Sequence, residues 1–270
     1  MNKLANLFAK SASFSSSRRH TKSDDSKALQ SILDNVTAES SKGSKVLIIF
    51  DIDSTLLDTS YRTGGIFKEF ARLPQHAKTY PQLCQEISKW NNTKEVYDPI
   101  EFVNQHCKTN IEKDSETGKY LLKFWRKRFF NEDWLVHDLP YYGAQDFVLK
   151  SLALGSDIAY LTGREKKTTW DGTIRSLATH GFPFNSSSSR TRLMLKQSSK
   201  IKDLIYKREG LEELKQGYNR IFYIENEVEL VLMANKEHPD IHTYLFDSVH
   251  SGRAKLGNTK QSKISSWAMG

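Results

Sequence analysis

Cysteine is nearly absent, with two in 270 residues, Cys84 and Cys107. Two thiols make no disulfide framework, so the chain has to fold on a buried apolar core, and reduced thiols in a cytosol-like compartment are expected. Long apolar runs are also missing. None approaches the ~20 residues needed to span a bilayer, and no membrane attachment is expected. The sequence holds no C-x-x-C pair, no G-x-x-x-x-G-K-[ST], no G-x-S-x-G and no H-E-x-x-H, which leaves thiol-redox, P-loop, α/β-hydrolase and zincin chemistry without support. Acidic residues are missing from both ends: residues 1–23 carry five bases and residues 251–270 carry four, with no acid in either. Set against a net charge of +8, this leaves −1 for residues 24–250. A nearly neutral middle gives no reason to expect a specific nucleic-acid partner.

Both ends are rich in serine and poor in large apolar residues, so residues 1–43 and 249–270 are expected to be disordered, basic tails. Leu4, Leu7, Phe8 and Phe14, with Arg18, Arg19 and no acid before Asp24, also fit a mitochondrial presequence. A cytoplasmic location is the first expectation and a mitochondrial one the alternative. Nothing in the sequence sets an oligomeric state.

What is present begins with Val46-Leu47-Ile48-Ile49-Phe50, an apolar run that reads as a buried strand and is followed at once by Asp51-Ile52-Asp53-Ser54-Thr55. Alternation points Asp51 and Asp53 the same way, into one small space at the carboxyl end of the strand, where open α/β sheets carry their chemistry. Paired carboxylates there need a cation or a proton between them. They read either as a Mg²⁺ site with a nucleophile and an acid/base, or as an Asx-rich turn leaving the strand. Further along, Ile158-Ala159-Tyr160-Leu161 runs into Thr162-Gly163-Arg164. A lysine-bearing helix start spans Lys200 to Ile205, and Ile221-Phe222-Tyr223-Ile224 ends in Glu225-Asn226-Glu227.

In that order these segments resemble the haloacid dehalogenase superfamily of phosphotransferases, over about residues 45–247. The resemblance implies a three-layer α/β/α sandwich on a parallel, Rossmann-like sheet. It also implies a Mg²⁺-dependent phosphomonoester hydrolase acting on a small phosphorylated metabolite through an aspartyl-phosphate. Asp51 would be the nucleophile and Asp53 the acid and base. Thr162 and Gly163 would bind the phosphate together with a lysine, for which Lys202, Lys200 and Lys196 stand in that order. Glu225 would join Asp51 and the Asp53 carbonyl around Mg²⁺, in a cluster that lacks the family's usual paired aspartates. Arg164 is expected to neighbour the site. A phosphomutase on the same core, a D-x-D glycosyltransferase and a non-catalytic adaptor remain as alternatives.

About a hundred residues separate Thr55 from Ile158, far more than one helix and two loops require. Residues 62–138 show helix-like stretches at 66–73, 80–90 and 120–130 without a clear strand, and by the resemblance form a helical cap. The core is then residues 44–61 and 139–248. Within the cap, residues 119–130 interleave five cations with five aromatics. They read either as a grip on an anionic or aromatic leaving group or as an amphipathic helix with its cations in water.

Overall fold

The computed structural model describes residues 22–91, 94–257 and 261–269. Its centre is the predicted first strand, β1 (Val46–Phe50), buried along its whole length. Val46, Ile48 and Phe50 enter the apolar core on one face of the sheet, and Leu47 and Ile49 enter the core on the other. This is the period-two alternation of a strand covered on both sides. Around it lie β4 (Asp157–Glu165), β5 (Thr191–Lys196), β6 (Arg220–Glu225), β7 (Ile241–Phe246) and β8 (Ser262–Ile264), all parallel, in the order β5-β4-β1-β6-β7-β8. The chain steps outward from β1 through β4 to β5, then returns to β6 and steps outward on the other side. Such a reversal opens a crevice at the carboxyl ends of the strands beside β1.

Helices complete the expected three layers. On one face α1 (Lys22–Ser41), α7 (Ala144–Ala153) and α8 (Lys166–Thr179) contribute Leu29, Ile32, Val36, Phe147, Val148 and Leu177. On the other, α9 (Asp203–Leu214) and α10 (Val228–Glu237) contribute Leu211, Leu214, Leu230 and Met233.

The insertion leaves and re-enters through a short antiparallel ribbon, β2 (Leu57–Asp58) with β3 (Leu139–Pro140). Between them lie α2 (Ser60–Arg72), α3 (Pro74–Thr79), α4 (Pro81–Ser88), α5 (Pro99–Cys107), α6 (Glu116–Phe129) and a 3₁₀ turn, Glu132–His137. Three of the helices coincide with the predicted stretches. α5 starts where the Asp98 carboxylate accepts from the Ile100 and Glu101 N–H groups, and α6 where the Ser115 hydroxyl accepts from Gly118 N–H. The insertion has a core of its own, including Phe67, Phe70, Ile87, Phe102, Leu121 and Trp125. On α6 the cations Lys119, Lys123, Arg126 and Lys127 face solvent while Leu121 and Trp125 turn inward, so this stretch is an amphipathic helix.

Two expectations fail at the ends. Residues 22–41 are helical, and Leu29, Ile32, Leu33 and Val36 place an apolar i, i+3, i+4, i+7 stripe against the sheet. Composition averaged over the serine-rich end hid that stripe. At the other end β8 pairs with β7, and Trp267 is wholly buried, so residues 261–269 belong to the core and are not a loose tail. The predicted presequence, residues 1–21, lies outside the described residues. Among the described residues no helix is long and apolar enough to cross a membrane.

Candidate active site

Asp51 leaves β1 still paired to the sheet, its N–H donating to the Ile224 carbonyl at 3.0 Å. Ser54, one residue past the next acid, turns the chain with φ +57°. The two carboxylates thereby reach different partners. Asp51 Oδ1 accepts from Lys207 Nζ at 2.6 Å, and Asp51 Oδ2 accepts from the Thr55 hydroxyl at 3.2 Å. The same hydroxyl lies 3.2 Å from Asn226 Oδ1. Asp53 is held by two arginines.

The lysine of the site is Lys207, which corrects the sequence-based order. Lys202 and Lys200 are exposed on the loop before α9, and Lys196 pairs with Asp203 at 2.7 Å. Lys207 lies one turn into α9 and is 2% exposed, with Nζ also 2.8 Å from Glu225 Oε2 and donating to the Leu161 carbonyl. Gly210 allows that approach, because a Cβ there would meet Leu161 Cδ1 at 2.7 Å. The signal was available: Lys207 shares the buried face with Leu211 and Leu214, at i, i+4 and i+7, and a lysine on an apolar face needs a buried counter-charge.

Arg164 is buried. Its guanidinium donates to both Asp53 oxygens, at 2.7 and 3.1 Å, and to Asp138 Oδ2 at 2.9 Å. Arg62, from α2, donates to Asp53 Oδ1 at 2.7 Å and Asp138 Oδ1 at 2.8 Å, and stands 4.0 Å over the Phe129 ring. Two cations and two anions close a balanced square where the insertion joins the core; sequence reasoning missed both Arg62 and Asp138. Burial opposes ionisation of Asp53, but the Arg164 and then the Arg62 guanidinium overcome it and hold the carboxyl well below the usual range. For Asp138 burial wins, and the carboxyl is pushed up to about 6.

Thr162 and Gly163 lie within β4, two and three residues past Tyr160, the partner of Phe50. The Thr162 oxygen accepts from Arg164 N–H at 3.3 Å, so its own hydrogen is free to donate elsewhere.

Glu225 reaches the site in a different role from the one expected. Its Oε1 accepts from the N–H groups of Asn226 and Glu227, at 2.9 and 3.0 Å, and its Oε2 from Lys207 and the Tyr223 hydroxyl. With four donors on two oxygens, it anchors Lys207. Asp51 Oδ2 and Asn226 Oδ1 both lie 3.2 Å from the Thr55 hydroxyl, and oxygen donors with few carboxylates are the kind that suit Mg²⁺. The charge count fits as well. Asp51 and Glu225 face one lysine, and burial followed by the Glu225 charge pushes the Asp51 carboxyl up against the pull of Lys207. A divalent cation would satisfy that excess of negative charge.

No protein-family model and no curated protein sequence matches the chain. Solved structures do. A putative phosphatase from Clostridium difficile aligns at TM-score 0.50 and 10% identity over 82% of this chain and 94% of that one. Protein tyrosine kinase A of Mycobacterium tuberculosis aligns at TM-score 0.50 and 13% identity over 83% and 94%. A haloacid dehalogenase-like hydrolase from Streptococcus pneumoniae aligns at TM-score 0.48 and 15% identity over 82% and 94%. At these identities the likeness is one of fold: the chain shares the α/β fold of the Clostridium difficile and Mycobacterium tuberculosis structures.

Proposed function

We propose that the chain is a Mg²⁺-dependent phosphomonoester hydrolase that works through an aspartyl-phosphate on Asp51. The observation that carries this reading is the state of Asp51 at the end of β1: one oxygen is held by Lys207, the other by Thr55 beside Asn226. Phosphoryl transfer needs an in-line nucleophile, charge neutralisation and a proton donor, and little other covalent chemistry.

Asp51 attacks phosphorus as the ester P–O bond breaks, and the substrate's alcohol leaves with a proton before water releases the phosphate. Lys207 fixes Asp51 and adds positive charge beside the incoming phosphate. The Thr162 hydroxyl and the Gly163 N–H donate to a phosphate oxygen. Asp51, Asn226 and the Asp53 carbonyl would hold Mg²⁺, which when bound offsets the charge of the phosphate. Asp53, kept ionised by its arginines, is ready as the base that activates water in the second step. To act as an acid in the first step it has to loosen from one guanidinium. Arg62 belongs to the insertion, so its hold on Asp53 ties proton transfer to the seating of the insertion, which serves as a cap that selects a small phosphorylated substrate.

The test is phosphate release from a panel of sugar phosphates, nucleotides and phosphoamino acids, with and without Mg²⁺. Mg²⁺-dependent turnover by the wild type is expected, with none from Asp51→Asn at an unchanged melting temperature. Turnover by Asp51→Asn near that of the wild type would sink the mechanism.

A further inference from the structure

The last described segment of the chain is built into the catalytic loop. After β8 pairs with β7, with Ile264 opposite Phe246, the chain turns inward and buries Trp267 completely. The indole stacks on Phe246 at 5.2 Å and packs at 5.3 Å from Phe147 and 5.9 Å from Phe50, the residue just before Asp51. Its Nε1–H donates to the main-chain carbonyl of Thr55 at 2.9 Å. The hydroxyl of that same Thr55 reaches Asp51 Oδ2 and Asn226 Oδ1.

The seat is specific on two further sides. Asp25 of α1, fully buried, accepts from both the N–H and the hydroxyl of Ser265, at 2.9 and 2.6 Å. Gly143, at φ +86°, lies so close that a Cβ there would stand 2.5 Å from the Trp267 carbonyl. A phenylalanine would fill an apolar seat as well as tryptophan does; a buried tryptophan is distinguished by an N–H that needs a partner. Here the partner is Thr55, whose hydroxyl touches both Asp51 and Asn226.

We propose that Trp267 is a positioning residue of the active site: by holding the Thr55 carbonyl it sets the loop so that the Thr55 hydroxyl meets Asp51 and Asn226. The proposal rests on the reading of Asp51 as nucleophile for its kinetic consequence, and on the loop geometry alone for its structural one.

Two measurements on full-length protein test it. Trp267→Phe keeps an aromatic ring and removes the donor; replacing the indole by benzothiophene at this position keeps the bicycle as well. Leu177→Ala, in the same core and distant in sequence from the loop, controls for lost stability. Both changes at Trp267 should lower kcat by about tenfold with KM unchanged, since small misplacements of reacting groups carry penalties of this order. Both should also speed amide hydrogen exchange over residues 53–57 by about tenfold, and Leu177→Ala should do neither. An unchanged kcat and exchange in the benzothiophene protein would overturn the proposal, as would equal effects in Leu177→Ala. A wild type inactive on every phosphomonoester would defeat the proposed function, while the exchange measurement would still decide whether Trp267 holds the loop.

Discussion

Lys207 separates the two ways in which a charged side chain can matter at this site. It stands between Asp51 and Glu225 at 2.6 and 2.8 Å, with all three side chains less than a tenth exposed. Removing one partner of a buried charge set costs about 3–5 kcal/mol, because the remaining charges stay buried without compensation. Lys207→Met should therefore lower the melting temperature as well as abolish phosphate release. Lys202→Ala, at an exposed position, should leave both near wild type. Thermal melts and phosphate release on the two variants check this, and the reverse ranking would return the role to Lys202. The metal set makes a similar contrast. Asn226→Ala should raise the Mg²⁺ concentration for half-maximal activity at little cost in stability. Glu225→Gln should lower stability first, because its carboxylate carries four hydrogen bonds. A Mg²⁺ titration of each variant alongside its melt tells the two apart.

At the scale of elements, legibility followed how local each signal was. β1 was readable because five buried apolar residues stop abruptly at Asp51. β4 was read too short. The predicted strand ended at Leu161, whereas the element runs to Glu165 and carries Thr162 and Gly163 within it, with its pairing to β5 shifted between Thr162 and Glu165. The Arg62–Asp138 pair could not be read at all, since its members are 76 positions apart in the sequence and only the fold closes that gap. α1 failed for another reason: its apolar stripe is thin, and serines and charges around it dominate any average. That stripe gives a prediction. Ile32→Ala should destabilise the protein by about 2–5 kcal/mol, the usual range for emptying a buried large aliphatic site. Urea unfolding measures it, and a loss below about 0.5 kcal/mol would mean that α1 is not part of the core.

On the scale of the whole molecule, two of the charged contacts between the insertion and the core are of opposite character. One is the arginine–aspartate square. The other is Glu95, carried by the insertion between α4 and α5, whose carboxylate accepts from the Ser54 hydroxyl at 2.7 Å and from the Tyr141 hydroxyl, beside Asp58 and the Thr59 N–H. Burial pushes the Glu95 carboxyl up to about 7, against the hydrogen bonds from Tyr141 and Ser54, which pull it down. The folded protein thus binds a proton at Glu95 that the unfolded chain, near the ordinary glutamate value, releases first. A carboxyl raised in this way contributes stability that is fully present below the unfolded value and is lost as pH rises through about 7. From pH 5 to pH 8 the wild type should lose on the order of 1–3 kcal/mol from this group. Glu95→Gln, permanently neutral and still able to accept from Ser54, should lose that much less over the same interval. Urea unfolding of both proteins at the two pH values measures the difference. Parallel losses would show that the contact of Glu95 with Ser54, one residue past Asp53, does not sense protons.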